Sequence, residues 1–182
     1  MKCSPISGLG LFATRSIVKG HHIFVEDPLL CAGETANALR LYRIEAEFAG
    51  LSDEKKALLM KTTHECKCKM VPCQETEATQ IYNANNVLAT NGLDYVYCHL
   101  NRVNHSCSPN ARLIFRPTGR LLVVATKEIR PGHEITIAYP DFIEGNKLKR
   151  QEQLQRTFSF ICKCSICSMA EGKLFIPLPF FI

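Results

Sequence analysis

Short apolar runs broken by turn residues occupy both ends of this chain, while apolar positions spaced by three and four are confined to its middle. Leu11-Phe12-Ala13, a loop at Lys19-Gly20, and His22-Ile23-Phe24-Val25-Glu26 ahead of Pro28 predict a hairpin-like pair of strands. Over residues 35–50, Leu41, Ile44 and Phe48 share one helical face, and Gly50 is placed to end the helix. A second helix is predicted over 53–61 with Ser52 as its N-cap, and a third at about 79–88. The polar, patternless stretch 64–79 reads as a surface loop. Further on, 111–115 and 121–126 flank Pro117-Thr118-Gly119, a strand–turn–strand signature, and 134–138 alternate as another strand. Pro140 biases Tyr139 towards extended geometry, and 146–157 read as a short helix. The expectation is a mainly β protein carrying a helical insertion at about 35–86, an α+β fold.

A chain of 182 residues, 46% of them hydrophobic, buries one domain-sized core. The net charge of +5 is spread along the sequence instead of forming a basic stripe, so direct nucleic-acid binding is not expected. Ten cysteines would suit a disulfide framework in a secreted protein. Met1-Lys2-Cys3-Ser4-Pro5, however, has no apolar leader run, which points to a reducing compartment, nucleus or cytoplasm. There Cys3, Cys31 and Cys98 read as free thiols, and the sequon Asn104-His105-Ser106 is discounted. The apolar tail, residues 175–182, is far too short to span a bilayer, and no membrane association is expected.

Cys162, Cys164 and Cys167 place three thiolates within one C-x-C-x-x-C segment, where they repel one another unless a cation compensates. Tetrahedral zinc needs a fourth ligand from elsewhere, and by sequence alone both Cys107 and Cys98 are open; the bland reading is three reduced surface cysteines. A second set, His64, Cys66, Cys68 and Cys73, has ligand chemistry but is read as a variable insertion loop. Gly8-Leu9-Gly10 lacks the third glycine and the strand–loop–helix unit of a dinucleotide fingerprint, which excludes a Rossmann-type enzyme. Phe158 and Phe160 alternate ahead of Cys162, as in a packed strand with its two rings on opposite faces.

Four blocks in one order, Gly8-Leu9-Gly10-Leu11-Phe12-Ala13-Thr14, Asn104-His105-Ser106-Cys107-Ser108-Pro109-Asn110, Gly132-His133-Glu134-Ile135-Thr136-Ile137-Ala138-Tyr139 and the C-x-C-x-x-C cluster, resemble the SET-domain protein methyltransferases. The likeness is nearest to the subgroup of SET-and-MYND and fungal SET-only proteins, although the MYND finger's seven cysteines and a histidine are missing. The resemblance implies a SET-domain β-clip fold of small antiparallel sheets with a knot-like crossing at Asn104-His105. It also implies a division into a SET domain (1–141) and a zinc-bound post-SET cap with the apolar tail (142–182). The implied activity is transfer of methyl groups from S-adenosylmethionine to lysine side chains of proteins, a histone tail or another exposed lysine, by a monomeric enzyme. By resemblance, Tyr139 is the catalytic residue, while Gly8, Leu9, Gly10, Asn85, Asn104, His105, Tyr139 and Phe160 bind the cofactor. The resemblance likewise implies that Phe158 lines the lysine channel and that Cys107 completes one structural zinc site with Cys162, Cys164 and Cys167. Leu9 stands where the family often has a polar residue, His133 where an acid is common, and Asn83 and Asn86 compete with Asn85. The alternative reading is a catalytically inactive SET-fold module for protein interaction, stabilised by zinc. A Cys107–His105 hydrolase is disfavoured, because a zinc-bound thiolate is not free to attack a carbonyl.

Overall fold

The computed structural model of the protein describes residues 2–33, 37–62, 73–139 and 145–169. In chain order its elements are β1 (Lys2–Cys3), β2 (Leu9–Gly10), β3 (His22–Glu26), β4 (Leu30–Cys31), α1 (Asn37–Gly50), α2 (Asp53–Leu59) and α3 (Glu77–Asn85). They continue with β5 (Val87–Leu88), β6 (Asp94–Val96), a 3-10 turn at Leu100–Arg102, β7 (Asn104–His105), β8 (Ala111–Phe115), β9 (Leu121–Ala125), β10 (Thr136–Ile137), α4 (Lys147–Phe158) and α5 (Ser165–Ser168). Strands form small sheets ordered β1-β2, β3-β9-β8 and β4-β6-β5, all antiparallel, and a parallel pair β7-β10.

β9 is the framework strand. All of its residues are apolar and buried, as a central strand covered on both faces requires. The turn into it is fixed by Gly119 at φ 82°, where a Cβ would come 2.6 Å from the Tyr95 ring. Tyr97 also donates its hydroxyl hydrogen to the Gly119 carbonyl at 2.7 Å, tying this turn to the chain that follows β6.

One apolar cluster, with Tyr97, Leu121, Val123 and Ile137, fills the space against this sheet. A second, with Leu30, Ile44, Leu59, Ile81, Tyr82 and Val96, joins the helical insertion to β4 and β6. A third, smaller cluster gathers Leu154, Cys162, Cys164, Ile166 and Cys167 near the end of the described chain.

Several expectations are corrected by these partners. Residues 11–13 and His22–Glu26 do not form a hairpin: β3 pairs with β9, whereas Phe12 bridges to Glu134 and Ile17 to Ile129. Proximity in sequence favoured the local pairing, but β9 and its flanks offer far more apolar surface to bury. In α1, Ile44 is 1% exposed and Phe48 packs on the second cluster, but Leu41 is 49% exposed. A helix packed on one side keeps only a narrow stripe covered, and Leu41 lies at its rim.

Helix α3 begins at Glu77, with Thr76 capping the Thr79 amide, and ends at Asn85. Asn86 closes it by donating from both its backbone and its side-chain amide to the Tyr82 carbonyl, which frees Val87 and Leu88 to pair with β6. Residues 134–138 contribute only the two-residue β10, and it runs parallel to β7. Phe158 is the last residue of α4 and not part of a strand; Ser159, at φ 60°, turns the chain sharply after it.

The approach to β7 is held by a buried carboxylate. Glu26 accepts the backbone N–H groups of Cys98, His99 and Leu100 at 2.6, 2.7 and 3.2 Å, capping the 3-10 turn that delivers Asn104 and His105. His64, Cys66, Cys68, Pro140 and the 175–182 tail lie outside the described residues. No helix among the described residues is long and apolar enough to cross a membrane.

Candidate functional site

Asn104 and His105 sit on β7, buried, with β10 alongside. The Asn104 side-chain amide donates to the carbonyls of Ser7 and Leu9 at 2.9 and 3.1 Å and to Glu134 Oε1 at 2.7 Å. The 4–10 segment is therefore folded back onto β7. Gly8 takes φ 47° within it, and a Cβ built on Gly10 would overlap the Glu134 carboxylate, so the backbone lies directly against that side chain. The Leu9 side chain points away and is 52% exposed; its carbonyl is the part that is used.

His105 is 1% exposed, and burial pushes its imidazole pKa down to about 4, so the ring is neutral near pH 7. Its Nδ1 accepts the Tyr139 backbone N–H at 3.1 Å, which leaves the ring hydrogen on Nε2, facing Cys107 Sγ at 3.4 Å. One imidazole thus links the backbone of Tyr139 to the cysteine cluster.

The Tyr139 hydroxyl donates to the Val103 carbonyl at 3.3 Å, and burial pushes its pKa up to about 12. Around the Tyr139 ring stand Phe158, His105 and Phe160, with centroids 4.8, 5.3 and 6.2 Å away. Both phenylalanines reach the same tyrosine because the helix end and the left-handed Ser159 bring them to one side, not to the opposite faces of a strand.

The sulfurs of Cys107, Cys162, Cys164 and Cys167 lie within 4.8 Å of one another, with Cys107 and Cys167 at 3.5 Å. Four sulfurs at Zn–S bonds of about 2.3 Å form a tetrahedron with edges of about 3.8 Å, so this donor set fits a tetrahedral soft-ligand metal. Crowding of the thiols raises Cys107 through its hydrogen bonds with Cys162 and Cys164 and through burial, while hydrogen bonds with Cys107 and Cys162 hold Cys164 towards the thiolate. Gln151 clamps this segment to α4, donating Nε2 to the Cys162 carbonyl at 2.7 Å and accepting the Cys162 N–H at 2.8 Å. Arg150 adds a donor to Cys167 Sγ at 3.9 Å, a positive charge beside the thiolates.

The structure therefore brings together Gly8, Leu9, Gly10, Asn104, His105, Cys107, Tyr139, Phe158, Phe160, Cys162, Cys164 and Cys167. Asn85 lies in the last turn of α3, with its side-chain amide donating to the Ile81 carbonyl. Cys98 stands with Glu26 and His99, away from the four-sulfur set, so it does not supply the fourth ligand. Cys73 is exposed, with Gln80 Nε2 at 3.8 Å. Sequence reasoning missed Ser4, Glu134 and Gln151. Glu134 lay inside a motif already singled out, where its half-buried position against Gly10 was the unseen part.

The family model for the SET domain matches residues 8–140. Histone-lysine N-methyltransferase set5 of Schizosaccharomyces pombe is 29% identical over 171 residues, 93% of this chain and 50% of that protein. Histone-lysine N-methyltransferase SMYD3 of Mus musculus is 36% identical over 76 residues, 42% of this chain and 17% of that protein. Protein-lysine N-trimethyltransferase SMYD5 of Homo sapiens is 40% identical over 72 residues, 38% of this chain and 17% of that protein. The chain spans half the length of the fission-yeast relative and a smaller part of the other two.

Proposed function

The chain belongs to the SET-domain family, and from that premise we propose that it transfers methyl groups from S-adenosylmethionine to lysine side chains of proteins. The observation that carries the reading is the convergence of Asn104, His105, Tyr139, Phe158 and Phe160 beside four clustered thiols. The names of the relatives, histone-lysine and protein-lysine methyltransferases, support a protein substrate, a histone tail or another exposed lysine. A nuclear or cytoplasmic monomer is the matching expectation.

In this proposal residues 1–141 form the catalytic domain, and 142–182 a post-SET segment held by one structural zinc on Cys107, Cys162, Cys164 and Cys167. The knot-like crossing is supported by β7 and β10 lying parallel, with Asn110, on the chain that follows β7, donating to the Glu134 carbonyl and accepting the Thr136 N–H. Gly8, Leu9, Gly10, Asn85, Asn104, His105, Tyr139 and Phe160 are the proposed cofactor contacts.

The bound cofactor supplies a methyl group on a positively charged sulfonium. The protein's own task is to align a neutral amine with it and to keep water out. A lysine starts near pKa 10.4 and must lose its proton, which the apolar rings of Tyr139 and Phe158 favour by penalising the ammonium form. His105, held neutral, adds no positive charge next to the donor. The Tyr139 hydroxyl hydrogen is committed to the Val103 carbonyl, so its lone pairs remain to accept an amine N–H and aim the nitrogen.

A radiolabelled methyl-transfer assay with zinc-loaded protein against histones and a cell extract tests this reading. Labelled lysine is the expected product; absence of both labelling and S-adenosylmethionine binding by calorimetry would instead support the inactive module. Phe158 offers a narrower test. It carries no hydroxyl beside Tyr139, so the channel has room for an amine that already bears methyl groups. Mass spectrometry should find di- or trimethyllysine with the wild type and a shift towards monomethyllysine with Phe158→Tyr. A monomethyl product alone, unchanged by the substitution, would contradict this.

A further inference from the structure

We infer that Glu134 is a positioning residue, which locks the 4–10 segment onto Asn104 and so sets the shape of the cofactor-binding loop; the role of that loop rests on the function proposed above. Ser4 Oγ accepts the N–H groups of Ile6 and Ser7 at 2.9 and 3.2 Å and donates to Glu134 Oε2 at 2.8 Å. A hydroxyl has one hydrogen and two lone pairs, so Ser4 is saturated and needs an acceptor at position 134. Asn104 Nδ2 shares its two hydrogens among the Ser7 and Leu9 carbonyls and Glu134 Oε1, the nearest of the three at 2.7 Å; having only hydrogens to offer, it tolerates an acceptor there and not a donor. Two neighbouring acceptors are what a carboxylate provides.

The isosteric amide does not meet this demand. In Glu134→Gln one of the two positions becomes an NH2 group, and whichever way the amide is turned that group faces Ser4 or Asn104, neither of which can accept from it. The side chain cannot retreat from the mismatch. Its own backbone is fixed by the bridge to Phe12 and by the Asn110 amide on its carbonyl, and Gly10 lies directly under the carboxylate. Among the described residues, the side chains that bond the carboxylate are the neutral donors Ser4 and Asn104, towards which it serves as a double acceptor. Loss of the lock would release a segment that reaches Asn104 mainly through the carbonyls of Ser7 and Leu9.

Hydrogen exchange on zinc-loaded, ligand-free protein is the direct test, with S-adenosylmethionine binding by calorimetry beside it. Glu134→Gln should speed exchange over residues 2–10 by about tenfold or more, leave β8 and β9 as protected as in the wild type, and weaken cofactor binding by a similar factor. In turnover the KM for S-adenosylmethionine should rise by more than kcat falls. Ser4→Ala, a milder change that keeps the fold, should loosen the same segment, and combining the two should add little because they remove one contact. Unchanged exchange over residues 2–10 in both single variants would overturn the inference. If the segment loosens as expected but the wild type binds no S-adenosylmethionine, the lock stands and the proposed function falls.

Discussion

Removing zinc from the purified protein is expected to abolish methyl transfer and to unfold residues 145–169 while leaving the β3-β9-β8 sheet intact. The third apolar cluster is small, and Cys162, Cys164 and Cys167 make up much of its buried part, with Cys107 packed against it. Among the described residues of this cluster only Ile6 and Cys107 come from the distant chain, so the sulfur cluster, with the rings of Phe158 and Phe160 on Tyr139, ties α4–α5 to the rest. Structural zinc contributes about 10–16 kcal/mol of apparent binding free energy to small metal-dependent folds, as much as the whole stability of an ordinary domain. The first two apolar clusters do not depend on this tie, because their side chains come from other elements. Elemental analysis should find about one zinc per chain. After chelation, exchange should rise over 145–169 and the contacts of Phe158 and Phe160 with Tyr139 should be lost. Cys107→Ser should mimic chelation by removing the one ligand that comes from β7's side of the molecule. Folded, active protein without metal would sink the zinc reading.

How much of this was legible depended on whether the partners lay nearby in sequence. Ser52 as an N-cap, Asn146 leading into α4, and the Pro117-Thr118-Gly119 turn all act within a few residues, and each stands where local chemistry placed it. β10 falls inside the alternating 134–138 run, but it and β7 are two residues long and pair in parallel across the chain, a partnership no local periodicity could announce. The hairpin failed for the related reason that β9 outcompeted the adjacent run for β3. At the site, the residue types within the motifs carried the information. The way Phe158 and Phe160 reach Tyr139 did not, since it depends on a helix ending in one left-handed serine. Glu134 was visible as an acid in a motif, but its two demanding donors come from residues 4 and 104 and become neighbours only on folding.

Tyr139→Phe is expected to lower kcat by about 10²–10³, the usual cost of one well-aimed hydrogen-bonding group in a water-excluded site, while changing cofactor affinity little. The ring would keep its packing against His105, Phe158 and Phe160, and the bond lost to the Val103 carbonyl is a long one at 3.3 Å, so the fold should be almost as stable. Single-turnover methyl transfer and calorimetry separate these effects, and a kcat within threefold of wild type would remove Tyr139 from the mechanism. The pH profile then distinguishes an orienting phenol from a base. With its pKa pushed up to about 12, Tyr139 stays protonated across the working range, so a rate that rises with pH reports loss of the lysine proton and not ionisation of the tyrosine. The rising limb should therefore survive in Tyr139→Phe, displaced downwards at every pH. If it flattens instead, the tyrosinate is the base, and the neutral orienting role is wrong.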